Sequence, residues 1–375
     1  MPYWRLSGYY FLFFATVGIY MPFWSLYLRS INFNAEQIGI LSAIVVGTKI
    51  FSTYLWGWVV DHSGQRMRVI QYASLFSALA FIAVLFVKDF RALAFIMFLF
   101  AIFWSASLPQ IEAATLSYLG ESSHAYTIIR LWGSVGFIII VWGLGIVFES
   151  LSISYVPLIL LVSMFLVWVL TLSIPDTPPE PHDESHESLK VILSKPKVIA
   201  LLLACFLMLA SHGPYYTFYS IYLEDHGYSR SFIGQMWALG VVAEVVIFLF
   251  MHRLIVASGL RKLFLLSLFL ASIRWLLIAF FVDNLVLLCL AQLLHAATFG
   301  ICHAVAIQYI HKYFRGKLQG RGQGLYSSTS FGAGFAIGSL LTGYGWETIG
   351  AANCFIIASA SAFVAMVIAF IWVKD

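Results

Sequence analysis

The chain alternates long apolar stretches with short polar breaks. Read between those breaks, the apolar runs fall near residues 4–28, 37–60, 67–87, 91–118, 125–149 and 153–173. A second set falls near 198–222, 231–256, 260–282, 285–312, 319–343 and 347–372. A helix needs about 20 residues to cross ~30 Å of hydrocarbon, and every run reaches that length. One interruption is different. Residues 174–197 begin Ile-Pro-Asp-Thr-Pro-Pro-Glu-Pro-His-Asp-Glu-Ser-His-Glu, a polar, Pro-rich segment of the kind that stays solvated. The pattern predicts an all-α membrane protein with twelve transmembrane helices in two pseudo-symmetric six-helix bundles. The bundles cover 1–173 and 198–375, and 174–197 is the linker.

Composition sharpens that picture. Of 375 residues, 61% are apolar and 10% are Asp, Glu, Lys or Arg, against roughly 45–50% and about 25% in soluble domains. So few charges cannot cover a soluble surface, which excludes a cytosolic enzyme, a nucleic-acid binder and a disordered chain. The excess apolar surface is expected to face a lipid bilayer. The net charge of +4 therefore matters only through where the charges sit. Arg5, Arg66, Arg68, Lys190, Lys195, Lys197, Arg253, Arg261, Lys262, Lys312, Arg315, Lys317, Arg321 and Lys374 fall on one side of the predicted topology. Arg29, Lys88, Arg91 and Arg230 fall on the other. By the positive-inside rule, both termini and the linker are expected in the cytoplasm, with the chain in the cytoplasmic (inner) membrane. The first apolar run continues to Leu28 without a cleavage pattern, so it is expected to be retained. Cys205, Cys289, Cys302 and Cys354 lie in apolar runs without CxxC spacing and read as packed thiols. His182 and His186 read as part of a solvated linker rather than a metal site.

A shift of 195 residues superposes the two halves without a gap from Ser25 to Arg66. Tyr27 and Leu28 meet Tyr222 and Leu223, Ile38 and Gly39 meet Ile233 and Gly234, and Ser63-Gly64 meets Ser258-Gly259. Parallel repeats of six helices with a site near midplane describe a secondary transporter. Five charges remain inside the spans: Lys49, Glu112, Arg130, Glu244 and Arg274. Each costs roughly 2.5–3.5 kcal/mol on insertion scales, and all five unpaired would cost on the order of 12–18 kcal/mol. They are therefore expected to face one another or a wet cavity. Lys49 and Glu244 are related by the 195-residue shift, and Glu112 and Arg130 lie at one depth and are expected to pair. Two readings stay open: ion pairs that fix helix packing, or a site that binds substrate and protons. A buried carboxylate or imidazole can exchange a proton in the working range, whereas a guanidinium stays charged. His212, His295 and His303 also lie within spans. An intramembrane enzyme would need a nucleophile or metal set at one depth; there is no His-Glu-x-x-His, and no serine or cysteine with a helix-spaced base.

The second and third spans are joined by Gly57-Trp-Val-Val-Asp61-His-Ser-Gly64-Gln-Arg66. This resembles the G-x-x-x-D-x-x-G-x-[RK] signature of the major facilitator superfamily, in which the loop latches the halves in one state of alternating access. Gly57 is expected to permit close helix approach, Asp61 to cap or pair at the helix end, and Arg66 to face the cytoplasm. In the second half Val256 stands for the Asp. The charged residues resemble the lactose permease branch. There Glu112 and Arg130 would contact a sugar, Glu244 would join substrate binding to proton movement, and Arg274 and His295 would form the proton site. Departures thin that pattern: Phe137 replaces a sugar-stacking tryptophan, Ile247 a sugar-binding asparagine, Thr298 the proton-carrying carboxylate and Gln292 a lysine.

Arg130-Leu-Trp-Gly-Ser-Val, Leu239-Gly-Val-Val-Ala-Glu244-Val, Arg274-Trp and Leu294-His295-Ala-Ala-Thr298-Phe-Gly-Ile-Cys-His303 are more similar to the phenylpropionate permease family. That resemblance implies proton-coupled uptake of an aromatic or other monocarboxylate, with the proton as coupling ion and no further cofactor. Lys49, Glu112, Arg130, Phe137, Glu244 and His295 would bind substrate, and Glu244, Arg274, His295 and His303 would couple the proton. Trp132 and Trp237 are further candidates for ring stacking. The alternative is a proton-coupled sugar or nucleoside symporter. The resemblance favours a monomer.

Overall fold

A computed structural model describes residues 2–119, 123–176, 189–315 and 318–374. Among the described residues the chain is helical, with no strand. The helices of the first half are α1 (Tyr3–Ser30), α2 (Ala35–Ser63), α3 (Arg66–Leu85), α4 (Phe90–Leu119), α5 (Ser123–Ser150) and α6 (Ile153–Ser173). Those of the second half are α7 (Pro196–Asp225), α8 (Arg230–Ser258), α9 (Leu260–Phe280), α10 (Leu285–Tyr313), α11 (319–348) and α12 (Ala351–Trp372). Eleven of them are long and apolar enough to cross a membrane. The exception, α11, carries Gly320, Gly322 and Gly324 in its first turns and Ser327-Ser-Thr-Ser-Phe-Gly-Ala-Gly in its middle. Large apolar side chains stand exposed on many helices, among them Leu249, Leu341, Phe95 and Phe363. A soluble protein rarely exposes so much apolar surface, so hydrocarbon is its natural solvent.

The predicted spans fall within these helices or overrun their ends by one or two residues, except the last, which starts at 347, four residues before α12 begins at Ala351; the differences are local. A five-residue helix, Leu189–Leu193, occupies part of the predicted linker, while His182 and His186 lie outside the described residues. α2 is interrupted at Thr48, whose hydroxyl donates back to Ile44 O at 2.6 Å, a bond that competes with the helical ladder. α7 is interrupted at His212, just ahead of Gly213-Pro214. Pro214 offers no N–H to Ala210 O.

Packing divides the helices into two units. One holds α1–α6 with residues 228–238, and the other holds α7, α8 from Leu239 onward, and α9–α12. In the first unit α1 lies against α5 and α6, and α3 against α4. Leu6, Tyr9, Tyr10 and Phe13 of α1 meet Met67, Ile70 and Ile111 in the core. Residues 228–238 join this unit through Ser231, whose N–H donates to Glu149 at 2.7 Å, and Arg230, which donates to Phe148 O at 3.2 Å. In the second unit α12 lies against α7 and α9. Cys205, Cys302 and Cys354 are buried free thiols, and Cys289 is a partly buried one.

Two glycines set the tightest helix crossings. A Cβ on Gly136 of α5 would sit 2.2 Å from Phe11 O of α1, and one on Gly338 of α11 would sit 2.1 Å from Ala210 O of α7. Backbone cannot yield by that much. Gly136→Val and Gly338→Val are each expected to destabilise the protein by at least the ~1–3 kcal/mol of an overpacked core, read as a lower thermal midpoint in detergent. Gly143→Val, with nothing within 4 Å of its Cβ position, is expected to leave the midpoint unchanged.

Candidate functional site

The five intramembrane charges resolve into three arrangements. In the first unit, Arg130 Nε of α5 lies 3.6 Å from Glu112 Oε1 of α4, as their depth predicted, and both side chains are about one-third exposed. Tyr126, one turn before Arg130, hydrogen-bonds the same carboxylate. The guanidinium carbon stands 3.9 Å from the Phe14 ring centroid and 5.7 Å from that of Tyr10, so stacking on α1 fixes the plane of the charge. Gly133 makes room for it: a Cβ there would lie 2.9 Å from Arg130 Nη1 and 2.7 Å from Phe14.

Lys49 follows the break in α2 and is half-buried. Among the described residues its ammonium has no ion-pair or hydrogen-bond partner. Phe137 is buried with its ring close to Gly18 of α1, and Trp132 donates from Nε1 to the Tyr3 hydroxyl at 3.1 Å. Trp237 is buried. These aromatics pack the unit.

The third arrangement is a relay in the second unit. Arg274 of α9 is fully buried. Its Nε donates to Ala291 O at 2.9 Å, and its Nη1 donates to Thr298 Oγ1 at 3.0 Å and to His295 Nδ1 at 3.1 Å. A guanidinium has no acceptor, so His295 Nδ1 must be bare and its proton must sit on Nε2. That nitrogen lies 3.4 Å from Glu244 Oε2 of α8. The imidazole therefore stands as the neutral Nε2–H tautomer between a cation and a carboxylate. Rings complete the enclosure of Arg274, its guanidinium carbon lying 4.2 Å from the Tyr215 centroid and 4.6 Å from that of Trp275. Tyr215 in turn donates to Gln292 Oε1 at 2.9 Å, and Gln292 Nε2 donates to the Tyr219 hydroxyl.

A π-helical turn, Ala296–Ile301, begins directly after His295; such turns are frequent at functional sites. Along it His295 stacks on Phe299 (5.4 Å, 9°) and Phe299 on His303 (6.0 Å, 15°). His303 Nδ1 then lies 3.0 Å from the Tyr326 hydroxyl. His303 thus joins the site through a stacked ring rather than by direct contact with the relay. His212 is fully buried, its Nδ1 donating to Met208 O at 2.8 Å. A cavity of about 10 Å³ is bordered by His212, Thr298, His303 and Tyr326, roughly the room one water occupies.

The loop motif is placed more plainly. Gly64 ends α2 in the left-handed conformation (φ 66°), which favours glycine. Asp61 is exposed without a hydrogen-bond or ion-pair partner among the described residues. One expectation changes: Gly57 faces open space rather than a close helix contact. Arg66 is buried at the start of α3, with Asp176 accepting from the next N–H, that of Met67, at 3.0 Å.

The MFS_1-like family profile matches residues 3–357. The chain belongs to that family. It is 31% identical over 356 residues to a probable 3-phenylpropionic acid transporter of Escherichia coli (strain K12), covering 92% of each chain. It is 22% identical over 339 residues to the maltose permease of Geobacillus stearothermophilus, 90% of this chain and 86% of that protein. The crystal structure of the nucleoside transporter NupG has the same fold, with a TM-score of 0.83 at 18% identity and full coverage of both chains. These relatives are transporters, and this member of the MFS_1-like family is a multi-pass membrane transporter rather than an enzyme.

Sequence reasoning missed three participants of this MFS_1-like site. Thr298 read only as a lost carboxylate, yet its hydroxyl holds Arg274. Phe14 and Tyr126 were hidden among many aromatics, although Tyr126 lies four residues before Arg130, the spacing that puts two helical side chains on one face. Thr298→Val is expected to leave a guanidinium N–H under-satisfied in a buried site and to cost about 1–3 kcal/mol. Thr298→Ser is expected to stay near wild type, and unfolding midpoints of the two variants in one detergent check the difference.

Proposed function

We propose that this transporter imports a small organic acid, an aromatic or other monocarboxylate, together with a proton by alternating access. The observation that carries the reading is the position of His295, held in one tautomer between Arg274 and Glu244. A proton entering this relay has one favourable place. On His295 it would set an Nδ1–H against the donating Arg274 Nη1, donor against donor. On Glu244 the carboxyl can still accept from His295 Nε2–H through its unprotonated oxygen. Glu244 is therefore the proton carrier, His295 and Arg274 set its surroundings, and Thr298 replaces a second carboxylate without breaking the network. His303 extends the site along α10.

Lys49 holds the substrate carboxylate. Arg130 has Glu112 and Arg274 has its relay, whereas the Lys49 ammonium is without an anionic partner among the described residues, so a substrate anion would satisfy it. The 31% identity to a probable 3-phenylpropionic acid transporter supports an aromatic acid. The loop from Gly57 to Arg66 serves as the latch, and the protein works as a monomer in the cytoplasmic membrane with termini and linker inside.

A second reading, symport of a neutral sugar or nucleoside, is favoured by the Glu112–Arg130 pair. A guanidinium already neutralised by a carboxylate is better suited to hydroxyl groups than to another anion. Uptake into proteoliposomes separates the two. With the interior made alkaline, radiolabelled 3-phenylpropionate is expected to accumulate and a nucleoside or maltose is not. Glu244→Gln is expected to abolish accumulation while preserving exchange, and Lys49→Gln to weaken uptake more than Lys49→Arg. Accumulation by the Glu244→Gln variant would remove Glu244 from the role of carrier, and accumulation of the neutral solutes alone would favour the second reading.

A further inference from the structure

The second unit carries a surface cavity away from the relay. Its volume is about 530 Å³, and Lys195, Pro196, Lys197, Ile371, Trp372 and Lys374 line it where α7 begins and α12 ends. All three lysines are exposed, and all three are among the basic residues that the positive-inside rule assigns to the cytoplasmic face. The backbone acceptors nearest to hand are already occupied. Arg261 of α9 donates from Nε to Val373 O at 3.1 Å and from Nη2 to Phe370 O at 2.8 Å, which caps the end of α12. Lys197 Nζ rests 4.9 Å from the Tyr313 ring centroid, so one of the three charges is held in place by an aromatic face. Among the described residues no carboxylate pairs with Lys195, Lys197 or Lys374; Asp375 lies outside them.

The walls of the cavity are apolar. Ile371 and Trp372 are exposed apolar side chains, and Ile199 and Leu203 continue exposed apolar surface along α7. Tryptophan is favoured at the boundary between headgroups and hydrocarbon. Three cations above an apolar wall suit a ligand with an anionic phosphate at one end and hydrocarbon at the other. We propose that this cavity binds the headgroup of an anionic phospholipid, with the acyl chains along α7 and α12. Each lysine near a membrane surface adds to the attraction for anionic lipid. A zwitterionic lipid gives the same chains without the net charge, and a soluble phosphate gives the charge without the chains.

Native mass spectrometry of the full chain, delipidated in detergent, tests the proposal. Phosphatidylglycerol and phosphatidylethanolamine with the same acyl chains are titrated separately, and glycerol phosphate is added as competitor. Phosphatidylglycerol is expected to bind roughly tenfold more tightly, and excess glycerol phosphate to leave its adduct in place. K195Q/K197Q/K374Q is expected to erase the preference. R253Q/K262Q/K312Q, which removes the same charge from exposed positions elsewhere in the unit, is expected to keep it. If the triple variant is recovered poorly, K195Q and K374Q alone are each expected to lower the preference several-fold. A preference that survives K195Q/K197Q/K374Q, or that both triple variants lose equally, overturns the site. Displacement by glycerol phosphate overturns the lipid and leaves a soluble phosphate site.

Discussion

Arg274 is the charge around which the second unit is organised. A guanidinium cannot shed its proton in a protein, and burying an ion unpaired costs several kcal/mol. The groups around it answer much of that constraint: Ala291 O, Thr298 Oγ1 and His295 Nδ1 accept from its Nε and Nη1, while Tyr215 and Trp275 cover it; Nη2 has no hydrogen-bond partner among the described residues. These groups come from α7, α9 and α10, so one cation ties three helices together. It also decides the chemistry of a residue it merely touches. Once Nδ1 of His295 is occupied by a donor, the imidazole presents its N–H to Glu244, the geometry on which the proposal of Glu244 as proton carrier rests.

The first unit handles charge differently. Glu112 and Arg130 neutralise each other directly, remain about one-third exposed, and borrow Phe14 and Tyr126 for orientation. Partial exposure lowers the cost of holding two charges and leaves the pair accessible to polar groups of a solute. Lys49 has neither arrangement. It sits where Thr48 interrupts α2, and a break in a membrane helix is tolerated where the freed backbone finds other partners. Here Ile44 O keeps its helical bond from Thr48 N–H at 3.1 Å and accepts the Thr48 hydroxyl as well.

Much of this was legible in the residues. Apolar run length marked the helices because a bilayer imposes one thickness on all of them, and α11 was read as a span although its glycines and serines keep it below the apolar level of the others. The five midspan charges stood out because charge is scarce in such a chain, and Glu112 and Arg130 met as their depth predicted. What stayed hidden depends on local backbone geometry. The breaks at Thr48 and His212 and the π turns at 296–301 and 327–334 leave no periodic signal, since an apolar helix facing lipid has no polar face to mark its phase. Thr298 was visible as a missing carboxylate, but its bond to Arg274 depends on how α10 turns beside α9. Gly57 matched a motif and faces open space, so a motif's presence does not fix which contact its glycine makes.

The tautomer of His295 is the most direct test of the account, because the assignment of Glu244 as carrier follows from it. Nitrogen NMR of the histidine-labelled protein in bilayers, with His295 assigned through a His295→Asn variant, reports the state of each ring nitrogen. A bare Nδ1 and a protonated Nε2 are expected under the conditions in which the protein transports. A ring protonated at both nitrogens, or one carrying its proton on Nδ1, would contradict it.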